Sequence, residues 1–205
     1  MPGVKIFKLG GSAFTPAAQF AAGQLGLWIE SSDAITLPWY QDSAGTAAIT
    51  AVEQIVGKAI DKSGRTNHLL QATSAARPIY KTDGSTLFDG ISSGLITGAA
   101  TLGANMDCFI TVRRSSTANI VMAFPFVGAG ANFFGVVVSG SATVADSGSG
   151  TPTYAANGVS LNGGAIYTTR GQLDTAMPVG SWVVLEVRNL NLSAWTGFGV
   201  GNYGG

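Results

Sequence analysis

The sequence predicts an all-β protein of the antiparallel sandwich type. Three observations carry that expectation. From Leu87 onward, short runs rich in β-branched and aromatic residues recur between turn residues. No helix-period segments alternate with those runs, which argues against an α/β fold. The 29 glycines among 205 residues fall mostly at the ends of the runs and show no three-residue period, which excludes a collagen-like chain.

The elements follow in order. Residues 1–13 read as a short arm, with Val4, Ile6 and Leu9 able to form a brief strand before Gly10-Gly11-Ser12 loosens it. A short helix is expected from Thr15, which can cap it, through Pro16 at its first position, to Gly23 at its end. So short a helix needs tertiary packing, and Phe20 is the residue to supply it. Gly26 to Glu30 reads as a first strand with Trp28 as a core anchor. Polar turns follow at Ser31-Ser32-Asp33 and at Asp42 to Thr46. Val52, Ile55, Val56 and Ala59 then sit at helix-like spacing, although so short an apolar run is ambiguous by periodicity.

The stretch from Ile60 to Gly90 reads as a tight turn between extended pieces. Asp61 and Ser63 can bond nearby amides, Gly64 can take positive φ, and Asn67 tolerates the left-handed region. Phe88-Asp89-Gly90 ends a second extended run with another turn. Strands are expected at Gly94–Thr97, Cys108–Arg113, Ile120–Val127, Phe133–Val138, Trp182–Val187 and Phe198–Tyr203. Pro125 marks the third of these as an edge or a bend. Ala145 to Gly150 reads as a mobile Ser/Gly loop, and Asn157-Gly158 as the turn of a hairpin spanning Tyr154 to Leu161.

The same central stretch carries a family resemblance. Asp61-Lys62-Ser63-Gly64-Arg65-Thr66-Asn67-His68, then Arg77-Pro78, then Phe88-Asp89-Gly90 resembles the opening of concanavalin A-like, laminin-G-like sandwich domains. The form common in bacteriophage structural proteins is the most similar. Gly26 to Glu30 with Ser32-Asp33, Gln41 to Thr46, Trp182 to Arg188 and Leu192 to Gly197 fit it in the same order. The resemblance runs from about Phe14 to the C-terminus, so it implies an arm over 1–13 and one jelly-roll domain over 14–205. It also implies an extended segment leading into Asp61, and that reading is preferred over the helix for 52–59. In the family a further strand usually follows the piece like Trp195 to Tyr203. Its absence here would leave an unpaired edge. Three readings stay open: a truncated chain, an edge filled by the arm of the same or another subunit, or a sheet that ends one strand earlier.

Composition narrows the role. Hydrophobic residues make up 46% and charged residues 11%, against roughly 25% charged in ordinary soluble domains. Such a chain is too apolar for disorder and poor in the ionic surface of a free monomer, so packing against other subunits is expected. Net charge is zero, without the basic footprint that nucleic acid requires. No run of about 18 apolar residues occurs, so no transmembrane helix is expected. The N-terminus has no long apolar core, so no signal peptide is expected. Cys108, the one cysteine, sits in an apolar run and reads as a buried hydrophobe.

A catalytic set is not expected. No Glu-x-Asp-x-Glu occurs, and the acidic residues sit mostly in turn contexts. His68, the only histidine, and Cys108 formally make a nucleophile–base pair, but turn and core roles explain both better. One His and one Cys do not make a zinc site. Asp83, Asp89 and Asp107 are conceivable calcium contributors, with turn roles preferred. Neither Gly10-Gly11-Ser12 nor Asn162-Gly163-Gly164 leads a phosphate-binding helix. For glycan binding, Trp39, Tyr154, Trp195 and Tyr203 are candidate platforms by residue type, while core or interface roles compete for each. Asp61, Ser63, Gly64, Asn67, Asp89 and Gly90 are expected to define the fold.

With the resemblance, these readings imply a multimeric bacteriophage virion protein of a tail fibre, baseplate or other host-facing appendage. A head decoration or fibre protein and a glycan-binding adhesin module are the alternatives. No cofactor, nucleic-acid partner or membrane insertion is expected. The expected partners are other virion proteins, copies of itself and a host surface glycan, in a particle assembled in the host cytoplasm.

Overall fold

The computed structural model describes residues 18, 20, 24–90, 92–100, 103, 106–115, 124–128, 130–134, 145–147, 159–190 and 197–201. These residues are mostly antiparallel strands with one short α-helix, an all-β arrangement. The strands are β1 (Lys58–Ala59), β2 (Leu69–Leu70), β3 (Ile79–Tyr80), β4 (Thr86–Leu87), β5 (Gly94–Thr97), β6 (Met106–Val112) and β7 (Phe124–Gly128). They continue with β8 (Gly130–Phe134), β9 (Ala145–Ser147), β10 (Val159–Leu161), β11 (Ile166–Tyr167), β12 (Val183–Leu190) and β13 (Gly197–Gly201), and helix α1 (Arg170–Ala176) precedes β12. One sheet runs β1-β2-β5-β13-β7-β8-β9, a second runs β11-β10-β12-β6, and β3 and β4 form a separate hairpin.

Period-two alternation builds the second sheet. In β12, Val183, Leu185 and Val187 are buried, and in β6 Cys108 joins them with Met106, Ile110 and Val112 packed alongside. Helix α1 covers this face with Leu173 and Met177. The helix starts at a capping box: Thr169 accepts from the Gln172 amide at 3.3 Å, and the Gln172 side chain accepts from the Thr169 amide at 3.2 Å. Arg114, 7% exposed, ties the helix to the end of β6. Its guanidinium donates to the Asp174 carboxylate at 2.6 Å and to the Asp174 carbonyl at 2.8 Å.

The first sheet rests on the Asp61 turn. The Asp61 carboxylate accepts from the amides of Trp28 at 2.9 Å, Ser63 at 2.9 Å and Asn67 at 3.0 Å, and from the Ser63 hydroxyl at 2.7 Å. The Asn67 side chain donates to the Gly26 carbonyl at 2.8 Å, and the Lys62 amide to the Trp28 carbonyl at 2.8 Å. These bonds hold the segment 26–30, before the 3₁₀ turn Ser31–Asp33, against the β1–β2 hairpin. Its Leu27 and Ile29 then pack on a core of Ala34, Trp39, Ile49, Val56, Ala59, Leu69, Tyr80 and Leu95. Phe198 of β13 packs against both cores.

Gly64 takes φ of 80° and Gly90 φ of 73°, as expected of turn glycines. Asp89 accepts from the amides of Ser92 and Ser93 at 2.9 and 2.8 Å. The left-handed residue of the first turn is Thr66, at φ 59°, rather than Asn67. Asn67 instead donates its side-chain amide to the Gly26 carbonyl.

Other expectations are corrected. Gly26–Glu30 forms no regular strand, because its backbone bonds go to the Asp61 turn. Trp28 is half-buried with the Lys62 ammonium 4.3 Å from its ring centre, while its neighbours Leu27 and Ile29 face the core. Pro125 is not in an edge strand: β7 lies between β13 and β8, and β13 pairs only with Phe126 and Val127. The expected loop at Ala145 begins as the strand β9, which pairs with Asn132 to Phe134. β13 is no open edge either, since β5 and β7 flank it. The segment 52–59 is not helical: after a turn at Val52-Glu53, with Glu53 at φ 64°, it bridges to Ile79 at Ile55 and ends in β1. Ala18 and Phe20 are helical. The rest of the expected helix, the 1–13 arm, the Asn157-Gly158 turn and residues 135–138 lie outside the described residues.

Replacing Asp61 with Ala orphans three amides at once. The expected loss is on the order of 3 kcal/mol or more in the free energy of unfolding, read from the urea midpoint. Asp61→Asn should also destabilise, because its NH₂ must face a donor at one of the two oxygen positions. Wild-type stability in both variants would remove this turn from the determinants of the fold.

Candidate functional site

The strand alternation that buries one face of the second sheet leaves the other open at its ends, around the buried polar pair Ser160 and Glu186. Ile166 of β11 lies opposite Ser160 of β10, Ser160 opposite Glu186 of β12, and Glu186 opposite Phe109 of β6. One row across the outer face therefore reads Ile166, Ser160, Glu186, Phe109. Its ends are open, with Ile166 52% and Phe109 51% exposed, while Glu186 in the middle is 7% exposed. Such apolar exposure on a strand face is a common mark of an interaction surface.

Polar bonds knit this face. The Ser160 hydroxyl donates to Glu186 Oε1 at 2.6 Å, and Arg188 donates to Glu186 Oε2 at 2.8 Å. Arg188 also lies 5.4 Å from the Phe109 ring centre and 3.8 Å from the Asp107 carboxylate. Four residues back along the strands, Arg113 lies 4.7 Å from the ring centre of Trp182, which is 39% exposed. Arg113 also pairs with Asp83 of the β3–β4 turn at 3.0 Å. The Ser85 hydroxyl and amide, and then the Arg113 guanidinium, hold the Asp83 carboxyl below its usual range. Two arginine–aromatic pairs thus flank the row, each compensated by carboxylates.

Ser160 donates to a carboxylate and has no histidine beside it, since His68 precedes β2 in the other sheet. Asp83, Asp89 and Asp107 are not gathered: Asp83 meets Ser85 and Arg113, Asp89 meets Ser92 and Ser93, and Asp107 lies near Arg188. Among the described residues no group of three His, Cys, Asp or Glu could hold a metal ion, and no helix is long and apolar enough to cross a membrane.

Trp39 is corrected as a glycan platform. It is 3% exposed within the first core, so its ring has no face for a sugar. Tyr154, Trp195 and Tyr203 lie outside the described residues. Sequence reasoning placed Phe109 and Trp182 in expected strands without asking which face each would take. The signal was present: with Cys108, Ile110 and Val112 on one face, Phe109 must take the other. No family model, curated protein or solved structure matches this chain.

Cys108 sits on the inner side of the same strand, and burial first, then the Asp107 charge, pushes its thiol up to about 12. At pH 8 it is a protonated, covered thiol and a poor nucleophile. Iodoacetamide at that pH should leave the folded protein unmodified for hours and label it fully in urea. Rapid labelling of the folded protein would mean that β6 opens locally.

Proposed function

We propose that this chain is a structural subunit of a bacteriophage virion, without catalytic function. In this reading it is built on a concanavalin A-like sandwich and works as a multimer in a tail fibre, baseplate or other host-facing appendage. The observation that carries the assembly reading is the outer face of the second sheet. Phe109, Ile166 and Trp182 are exposed there, on a chain only 11% charged. A free monomer has little use for half-exposed Phe and Ile on one strand row, whereas a subunit covers them. The phage label comes from the resemblance of the Asp61 to Gly90 stretch, and the charge-poor composition is consistent with it.

The test is immunogold labelling of intact particles together with sedimentation of the purified chain over a range of concentrations. Signal on a tail appendage and concentration-dependent association are expected, and absence from purified particles overturns the reading. Phe109→Lys combined with Ile166→Lys should weaken association by about 10- to 100-fold, the scale of one or two interface anchors. Because both side chains are exposed, the unfolding free energy should stay within roughly 1 kcal/mol.

A further inference from the structure

The Asp61 turn contains a titratable acceptor. The backbone amide of Asp61 donates to Nδ1 of His68 at 3.1 Å. An imidazole nitrogen accepts only through its lone pair, so the ring is neutral and carries its proton on Nε2. A proton added at Nδ1 turns that acceptor into a donor. Two N–H groups then face each other, and the Asp61 amide loses its partner. The residue that suffers this is the one whose carboxylate organises the turn.

The surroundings decide which way the ring leans. Lys58 of β1 opposes a second positive charge on His68, and Asp61 favours it. β5, the other neighbour of β2, contributes Gly94, Leu95, Ile96 and Thr97 and no titratable group. Glu30 and Lys62 are joined to each other at 2.7 Å, and Arg65 is exposed. The Asp61 carboxylate already accepts from Trp28, Ser63 and Asn67, so it is poorly placed to take a new donor from the ring. Burial first and then Lys58 hold His68 below its usual 6.5.

The hairpin beside this histidine is short. β1 pairs with β2 over Lys58–Leu70 and Ala59–Leu69, with the Gln71 amide donating to Gly57 and a single bridge to Tyr40 on the other side. Local opening is cheapest where few bonds must break. We propose that His68 is a pH-sensitive latch: a proton at Nδ1 releases the Asp61 amide and opens the Asp61 turn with the β1–β2 pairing, while the β6–β12 core stays folded.

The sign follows from linkage. The open state binds the proton more readily than the closed state. The latch is therefore at full strength above pH 6.5 and weakens as pH falls below it. Between the open- and closed-state pKa values, each pH unit shifts the equilibrium toward opening by up to about tenfold. Asp42 titrates in a separate range. The amides of Ala47 and Thr46, the Thr46 hydroxyl and the Gly45 amide lower its pKa to about 2, so its loss is felt only below the ordinary carboxylate value of 3.8.

The test is a nitrogen-15 NMR titration of the full chain from pH 8 to 5, with amide hydrogen exchange corrected for intrinsic rates. An Nε2–H tautomer and a His68 midpoint below 6.5 are expected. Opening at Asp61, Ser63 and Asn67 should grow by up to about tenfold per pH unit, while Leu185 and Val187 stay unchanged. His68→Gln, which keeps an acceptor oxygen without a titration, should abolish the acid response. Lys58→Met should raise the His68 midpoint, and it keeps the test decisive if the His68 variant does not fold. A midpoint at or above 6.5, an acid response that survives in His68→Gln, or opening spread equally over the β6–β12 core would overturn the proposal.

Discussion

One carboxylate joins the turn between β1 and β2 to a segment 33 residues earlier in the chain. Asp61, 6% exposed, accepts from the Trp28 amide, from Ser63 and from Asn67. A buried carboxylate is tolerable only where donors replace its water, and here four do. In return it fixes the direction in which the chain leaves β1 and returns in β2. It also draws in the segment that carries Leu27 and Ile29 to the first core. The turn is thus a tertiary joint as well as a local one.

A second constraint is close approach of backbones. Gly201 has φ of 87° and lies so near the Phe88 ring and the Ser93 carbonyl that a Cβ there would collide with both. Gly57 lies against the backbone of Gln41 and Asp42, where a Cβ would come within 2.6 Å. Both contacts press loops onto the first sheet. The glycines of β13 have the same consequence on a larger scale: Phe198 stands alone between Gly197 and Gly199 and packs against both cores. Its amide donates to Thr97 at 3.0 Å, which anchors the strand beside β5.

The outer face of the second sheet follows from the same economy of charge. Its few ionic groups are used locally, with Arg188 against Glu186 and Arg113 against Asp83. What remains open is aromatic and aliphatic. A surface whose charges are internally compensated repels other subunits weakly and rewards burial of its apolar ends. That combination is the physical basis of the assembly proposed above.

Local chemistry was legible from the sequence alone. The turn at Asp61, the positive φ at Gly64 and Gly90, the buried Cys108 and the strands β5, β6 and β12 depend on neighbours a few residues away, and their residue types announce them. Helix α1 was also written there, as the Thr169–Gln172 capping box, but its short length hid it. The β10–β11 hairpin turns on Asn162 and Gly163, at φ of 52° and 72°, whereas the sequence pointed to another Asn-Gly pair. What only the tertiary structure decided is which side of each apolar residue meets a neighbour. Trp39, for which a core role competed with a glycan platform, is covered, while Phe109 and Trp182, placed only in expected strands, are open. The reason is that exposure depends on which strand lies alongside, and β12 is paired with β10 and β6 from positions roughly 25 and 75 residues away. The surroundings of His68 were decided in the same way, because only the folded hairpin sets its ring nitrogen against the Asp61 amide.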